Sequence, residues 1–182
     1  MIGILGGMGT RAGLDFCNKI AVLNRGKSDQ QYPKFILYNK SDTPKRPENL
    51  KKYFNVLKEL IKGCLMLQKN KCKFIVMPCN TAHYWQEDIQ KKLKIPLISM
   101  PKEVYLHTKR TCKKNSKIGI LCTEATIKTK VYSKYFDKNY NLVSPGKKLQ
   151  KNSVNKAIKF VKMGKVKDAE KILRPAVKYL IK

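Results

Sequence analysis

Hydrophobic positions alternate between short unbroken runs and longer stretches with the helical period, separated by glycine, proline and polar clusters. Ile2 to Leu5 predicts a strand, followed by the loop Gly6-Gly7-Met8-Gly9 and a helix from about Arg11 to Asn24. Lys34 to Tyr38 predicts a second strand, and Asn39 to Pro47 a polar, proline-containing loop. Leu50, Tyr53, Phe54, Leu57, Leu60, Ile61, Cys64 and Leu65 then trace one face of a helix. Phe74 to Met77 reads as a third strand, Asn80 to Leu93 as a helix, and Pro96 to Ile98 as a fourth strand. The pattern restarts with a strand at Lys117 to Leu121, a loop at Cys122 to Thr126 and a helix from Ile127 to Phe136. Leu142-Val143 is a short strand before the turn Ser144-Pro145-Gly146, and Ser153 to Lys182 predicts two helical stretches broken near Gly164.

Repeated strand–helix order calls for parallel sheets covered by helices. The fold class expected is therefore α/β, with two pseudo-symmetric Rossmann-like lobes spanning residues 1–95 and 96–182. Ligands of such folds bind at the carboxyl ends of the strands. The last helical stripe, Val166, Ala169, Ile172, Leu173, Ala176, Val177 and Leu180, is followed by no strand, so the second lobe is expected to be incomplete.

Composition narrows the class. A hydrophobic fraction of 42% over 182 residues suits a globular protein with a real core. No apolar stretch approaches the ~20 residues that span a bilayer, and Met1 to Gly9 has neither the charged region nor the cleavage site of a secretory signal. Six cysteines without a CxxC pair suggest neither a metal site nor a disulfide framework, so a reducing cytoplasm is the expected setting. The net charge of +28 raises the possibility of a polyanion or nucleic-acid partner. Only Arg11, Arg25, Arg46, Arg110 and Arg174 are arginines, and the lysines are dispersed without aromatic interleaving, which favours a solvated basic surface instead.

The segment richest in chemistry is Met77-Pro78-Cys79-Asn80-Thr81-Ala82-His83. It puts a cysteine at a strand-to-helix switch, where N–H groups of a first helical turn would face a bound anion. Such a position suits the thiolate, the form able to take a proton. His83, four residues on, could share a helix face with Cys79 as its base, or could be a partly buried structural residue beside Tyr84 and Trp85. Gly7-Met8-Gly9-Thr10-Arg11-Ala12 satisfies the dinucleotide fingerprint G-x-G-x-x-A. The second predicted strand, however, ends in Tyr38-Asn39-Lys40, without the acidic residue that would bind a ribose. The glycines are read instead as a tight turn that lets the backbone approach an anion.

Ile2-Gly3-Ile4-Leu5-Gly6-Gly7-Met8-Gly9 together with Met77-Pro78-Cys79-Asn80-Thr81-Ala82-His83 closely resembles the aspartate/glutamate racemases, the cofactor-independent amino-acid racemases. Thr43-Pro44-Lys45-Arg46 is similar to that family's arginine-bearing loop, Lys117 to Lys128 to its second-lobe carboxylate loop, and Val161-Lys162-Met163-Gly164 to its Lys-x-Gly segment. The resemblance implies an acidic amino acid, aspartate or glutamate, as substrate, no cofactor, no metal and a homodimer. It implies Cys79 as one of two thiols flanking the α-carbon. Met8, Asn80 and Thr81 on one lobe, with Thr123, Ala125 and Thr126 on the other, would hold the α-carboxylate. Arg46 and Lys162 would meet the distal carboxylate. The family's second thiol lies in a Gly-Cys-Thr-Glu segment on a strand beyond the last helix here, and Cys122-Thr123-Glu124 repeats its letters in a different loop. Thr129 and Lys130 also stand where the family usually has Ser-Gly. The expectation is a C-terminally truncated racemase with little or no racemisation, exchanging at most one face through Cys79. Its rivals are a basic binding protein on the same scaffold and a reaction needing only one thiol, such as decarboxylation or cis–trans isomerisation.

Overall fold

Ile2–Gly6 forms β1, paired on both edges with parallel strands, β2 (Phe35–Asn39) and β3 (Phe74–Val76), in the order β2-β1-β3. Ile4 faces Leu37 on one side and Val76 on the other. Parallel neighbours need crossover connections, and helices α1 (Thr10–Leu23) and α2 (Phe54–Lys69) lie on them. The computed structural model describes residues 1–44, 54–136 and 139–182, so Arg46, Leu50 and Tyr53 lie outside the described residues. The chain divides into two units, Met1–Met100 and Pro101–Lys182.

In the first unit α2 buries Val56, Leu60, Gly63, Cys64 and Leu67 beside Ile4, Leu5 and Ile75. The face is turned from the predicted one: Phe54 and Leu65 are exposed. The cause is Gly63, where an added Cβ would stand 2.6 Å from Leu5 Cδ1, so the helix approaches the sheet at its smallest residue. The expected fourth strand is a single bridge, Ile75 to Leu97, because Pro96 has no N–H to donate to a ladder. The expected helix from Asn80 to Leu93 is a 3₁₀ turn, Thr81–Trp85, and then a short α3, Gln86–Gln90. A 3₁₀ turn eclipses side chains three apart, which lets Ala82 and Trp85 be buried together while Tyr84 packs edge-on against the indole.

The second unit opens with α4 (Met100–Thr111), whose first residue closes the first unit, a helix the pattern did not predict because it buries only Pro101 and Thr108. β4 (Ser116–Gly119) pairs in parallel with β5 (Tyr140–Val143), and α5 (Glu124–Lys128) lies between them in sequence. The predicted helix to Phe136 stops early, since Lys130 takes the left-handed conformation at φ 55°. Next come α6 (Lys147–Leu149), a π turn at Gln150–Val154, α7 (Asn155–Lys162) and α8 (Val166–Ile181). The break falls at Gly164, whose φ of 82° suits the residue after a helix end. Gly119 lies beneath Leu180, so α8 covers β4. Among the described residues no helix is long and apolar enough to cross a membrane.

One buried charge ties the first unit together. Lys40, 5% exposed, extends its ammonium to Asp42 at 2.7 Å and Glu59 at 2.7 Å, and Glu59 also meets Lys62 at 2.7 Å. Burial alone would lower the Lys40 ammonium, but hydrogen bonds to Asp42 and Glu59 outweigh it and hold the group above its ordinary value. The Lys40 hydrogen bond, reinforced by Lys62, pulls Glu59 from 4.5 down to about 2. The unfolded chain therefore takes up this proton near pH 4.5, the folded chain only near pH 2. The stabilisation is complete above the first value and lost as pH falls towards the second. Urea unfolding of the wild type and Glu59→Gln should show the wild type ahead at pH 6, with the gap closing as the pH approaches 2. A gap that does not depend on pH would contradict this role of Glu59.

Candidate functional site

The connections from β1 and β2 leave to opposite sides of β1, so the carboxyl ends of β1 and β3 open a crevice between their loops. The loop after β1 carries Gly7 at φ 86°, buried Met8 and Gly9 at φ 154°. A Cβ on Gly7 would lie 2.1 Å from the carbonyl carbon of Lys40, so only glycine lets this loop rest on the backbone that follows β2. Lys40 also anchors Thr43, whose hydroxyl donates to the Lys40 carbonyl at 2.8 Å. The segment leading to Arg46 is thereby fixed at its start, while Arg46 itself lies outside the described residues.

The loop after β3 carries Cys79, partly exposed, beyond fully buried Met77. The Cys79 N–H donates to the Met77 carbonyl at 2.7 Å, a three-residue turn around Pro78. Its own carbonyl lies 2.8 Å from Nδ1 of His83. Asn80 and Thr81 follow directly, so the register of β1 with β3 brings Met8, Cys79, Asn80 and Thr81 to the same end of one sheet. Other thiols are in different surroundings. Burial pushes Cys64 up to about 12 and Cys122 up to about 11, and it raises Cys17 and Cys72 as well. Those groups hold their protons at neutral pH. All six thiols are free.

In the second unit Thr123 caps α5: its hydroxyl accepts from the Thr126 amide at 3.2 Å and lies 3.0 Å from the Thr126 hydroxyl. Ala125 and Thr126 are buried in the same turn. A network unannounced in the sequence holds this loop. Gln150, buried in the π turn, donates through Nε2 to the Cys122 carbonyl and to Asn155 Oδ1, each at 2.9 Å. Asn155 in turn donates to Glu124 at 2.9 Å. Lys162 ends α7, two residues before Gly164. The structure thus gathers Met8, Cys79, Asn80 and Thr81 in one unit, and Thr123, Ala125 and Thr126 in the other. Lys40, Gln150 and Asn155 support the two loops and were missed: an amide or a lysine in so basic a chain carries no distinguishing periodicity. Among the described residues no three His, Cys, Asp or Glu side chains gather as metal ligands.

The model of a family described as Asp/Glu/Hydantoin racemase matches residues 5–182. Broad specificity amino-acid racemase RacX of Bacillus subtilis (strain 168) is 32% identical over 146 residues, covering 76% of this chain and 61% of that protein. The chain therefore spans about three-fifths of the length of this curated relative, 61%. The solved Picrophilus torridus aspartate racemase superposes with a TM-score of 0.81 at 28% identity, over 97% of this chain and 74% of that one. An aspartate racemase homologue from Pyrococcus horikoshii OT3 shares the fold, with a TM-score of 0.75 at 23% identity over 98% and 78% of the two chains.

The burial pattern predicts an order of thiol reactivity. Under native conditions at neutral pH, iodoacetamide followed by peptide mass spectrometry should label Cys79 at least about tenfold faster than Cys64 or Cys122. Equal labelling of Cys79 and Cys122 would contradict the described environments.

Proposed function

The chain belongs to the Asp/Glu/Hydantoin racemase family, and on that premise we propose that it moves the α-proton of an acidic amino acid through the Cys79 thiol. The observation that carries this reading is the placement of Cys79. It is a partly exposed thiol at the carboxyl end of β3, at the switch point of the sheet, beside a glycine loop that only glycine permits.

In the proposed step the Cys79 thiolate takes the α-proton, the S–H bond forms, and the C–H electron pair passes into the α-carbon and its carboxylate. Charge then builds on the carboxylate oxygens, which preorganised donors stabilise far better than water does. Met8, Asn80 and Thr81 are the proposed donors from the first unit, and Thr123, Ala125 and Thr126 those from the second. Arg46 and Lys162 are the proposed cations for the distal carboxylate, the arginine binding it through two parallel hydrogen bonds. Return of a proton to the same face regenerates the starting enantiomer. Delivery to the opposite face needs a second acid, which gives the mirror image.

Within residues 1–182 the other thiol in a loop after a strand is Cys122, 3% exposed and pushed up to about 11. A buried thiol that holds its proton so firmly is a poor base, so Cys122 is not assigned to the reaction. For a polypeptide of these 182 residues the reading is exchange at one face, with interconversion impaired. The competing reading, a basic protein that binds polyanions, rests on the net charge of +28 alone.

Two variants test the assignment. Cys79→Ser should lower deuterium incorporation into the α-position of aspartate or glutamate by at least about a hundredfold, whereas Cys122→Ser should leave it within about twofold. Incorporation that survives Cys79→Ser would overturn the mechanism. Arg46→Ala should weaken dicarboxylic amino acids by about ten- to a hundredfold, as loss of a charge-assisted pair implies. Titration calorimetry should find neutral amino acids little affected, and equal losses for both classes would refute the role of Arg46.

A further inference from the structure

Two polar contacts of the His83 ring are each with a group that has one possible role. The Met100 backbone N–H can only donate, and it lies 3.2 Å from Nε2. The Cys79 carbonyl can only accept, and it lies 2.8 Å from Nδ1. Nε2 therefore carries the lone pair and Nδ1 the proton, and both contacts fix the same tautomer independently. The ring is 1% exposed. An imidazolium in this place would turn an N–H towards the Met100 N–H, and the opposite tautomer would mispair both partners. His83 is thus not arranged to take a proton from the thiol four residues before it.

Its effect falls on the main chain of Cys79. That residue's N–H is held by Met77 across Pro78, whose ring fixes φ, and its carbonyl is held by His83. His83 is itself tied back, its N–H donating to the Asn80 carbonyl at 3.2 Å. With both main-chain polar groups of Cys79 engaged, the direction of its Cα–Cβ bond is set, and the sulfur keeps only rotation about χ1. Met100, the other end of the bridge, is the first residue of α4 and the last of the first unit.

We infer that His83 is a positioning residue: a neutral Nδ1–H imidazole that locks the backbone carrying Cys79 by bridging its carbonyl to the Met100 amide. Its catalytic meaning rests on the proposed role of Cys79, but the bridge is measurable without any turnover. Misplacing a reacting group by about 1 Å can cost roughly a hundredfold in rate, so the bridge acts on kcat more than on substrate binding.

The test has two stages. The chain has two histidines, so ¹⁵N-histidine labelling and long-range ¹H–¹⁵N correlation of the wild-type protein, with His107→Gln for assignment, reads the tautomer directly. Nδ1–H for His83 is expected, and an Nε2–H or imidazolium signature at pH 7.5 would overturn the proposal. The second stage compares His83→Asn, which keeps a donor near the Cys79 carbonyl, with His83→Gln, which keeps an acceptor reaching towards Met100. His83→Gln should label faster with iodoacetamide at Cys79, by about fivefold or more, while Cys64 and Cys122 stay protected; His83→Asn should lie closer to wild type. Where exchange is measurable, kcat should fall at least about tenfold in His83→Gln with KM changed by less than about threefold. Equal Cys79 labelling in all three proteins would overturn the proposal, as would equal effects of Asn and Gln. An inactive wild type that still shows the tautomer and the labelling difference would sink the proposed reaction and leave the bridge standing.

Discussion

A parallel strand paired on both edges and covered by helices has no surface left for water, and β1 meets that demand with Ile4 and Leu5 at 0% and 1% exposure. Everything chemical in the first unit follows from this pairing. With β2 and β3 on opposite sides of β1, the connecting chains must part, and the loops at the carboxyl ends of β1 and β3 face a shared opening. Met8 and Cys79 occupy those loops because the strands before them are buried and in register. The glycine loop, the proline turn and the cysteine are three consequences of one sheet.

The loops need support that a three-stranded sheet alone does not give, and two devices supply it. Lys40 carries a buried ammonium between Asp42 and Glu59, which joins the loop after β2 to helix α2. Breaking such a buried arrangement strands the remaining charge, so its members depend on one another. In the second unit Gln150 and Asn155 reach from the π turn to Cys122 and Glu124, giving the Thr123 loop a similar brace. Gln150 is the first residue of that π turn, and its amide reaches the loop from there.

Much of this architecture was legible in the hydrophobic pattern. Short apolar runs announced β1, β2, β3, β4 and β5; the burial that makes a parallel strand apolar is strongest in β1, while β2 and β4 bury none of their residues. Gly164 marked the helix break because a left-handed residue was needed there. The failures share a physical cause, which is that tertiary contacts decided them. The face of α2 turned to suit Gly63, the stretch after Asn80 tightened to bury Ala82 with Trp85, and α4 formed without an apolar stripe. At the site, Cys79 was conspicuous from its segment, whereas the tautomer of His83 depends on Met100, seventeen residues away in sequence. Lys40 was invisible as one cation among 40.

In the proposed chemistry one thiol, Cys79, works on one face of an acidic amino acid. Proton NMR of L- and D-aspartate, incubated separately with the protein in D₂O, tests it most directly. Loss of the α-proton signal from one enantiomer only, without conversion to the other, is expected. Loss from both enantiomers with conversion would reveal a second acid within these 182 residues, and loss from neither, with the protein folded, would contradict the proposed chemistry altogether.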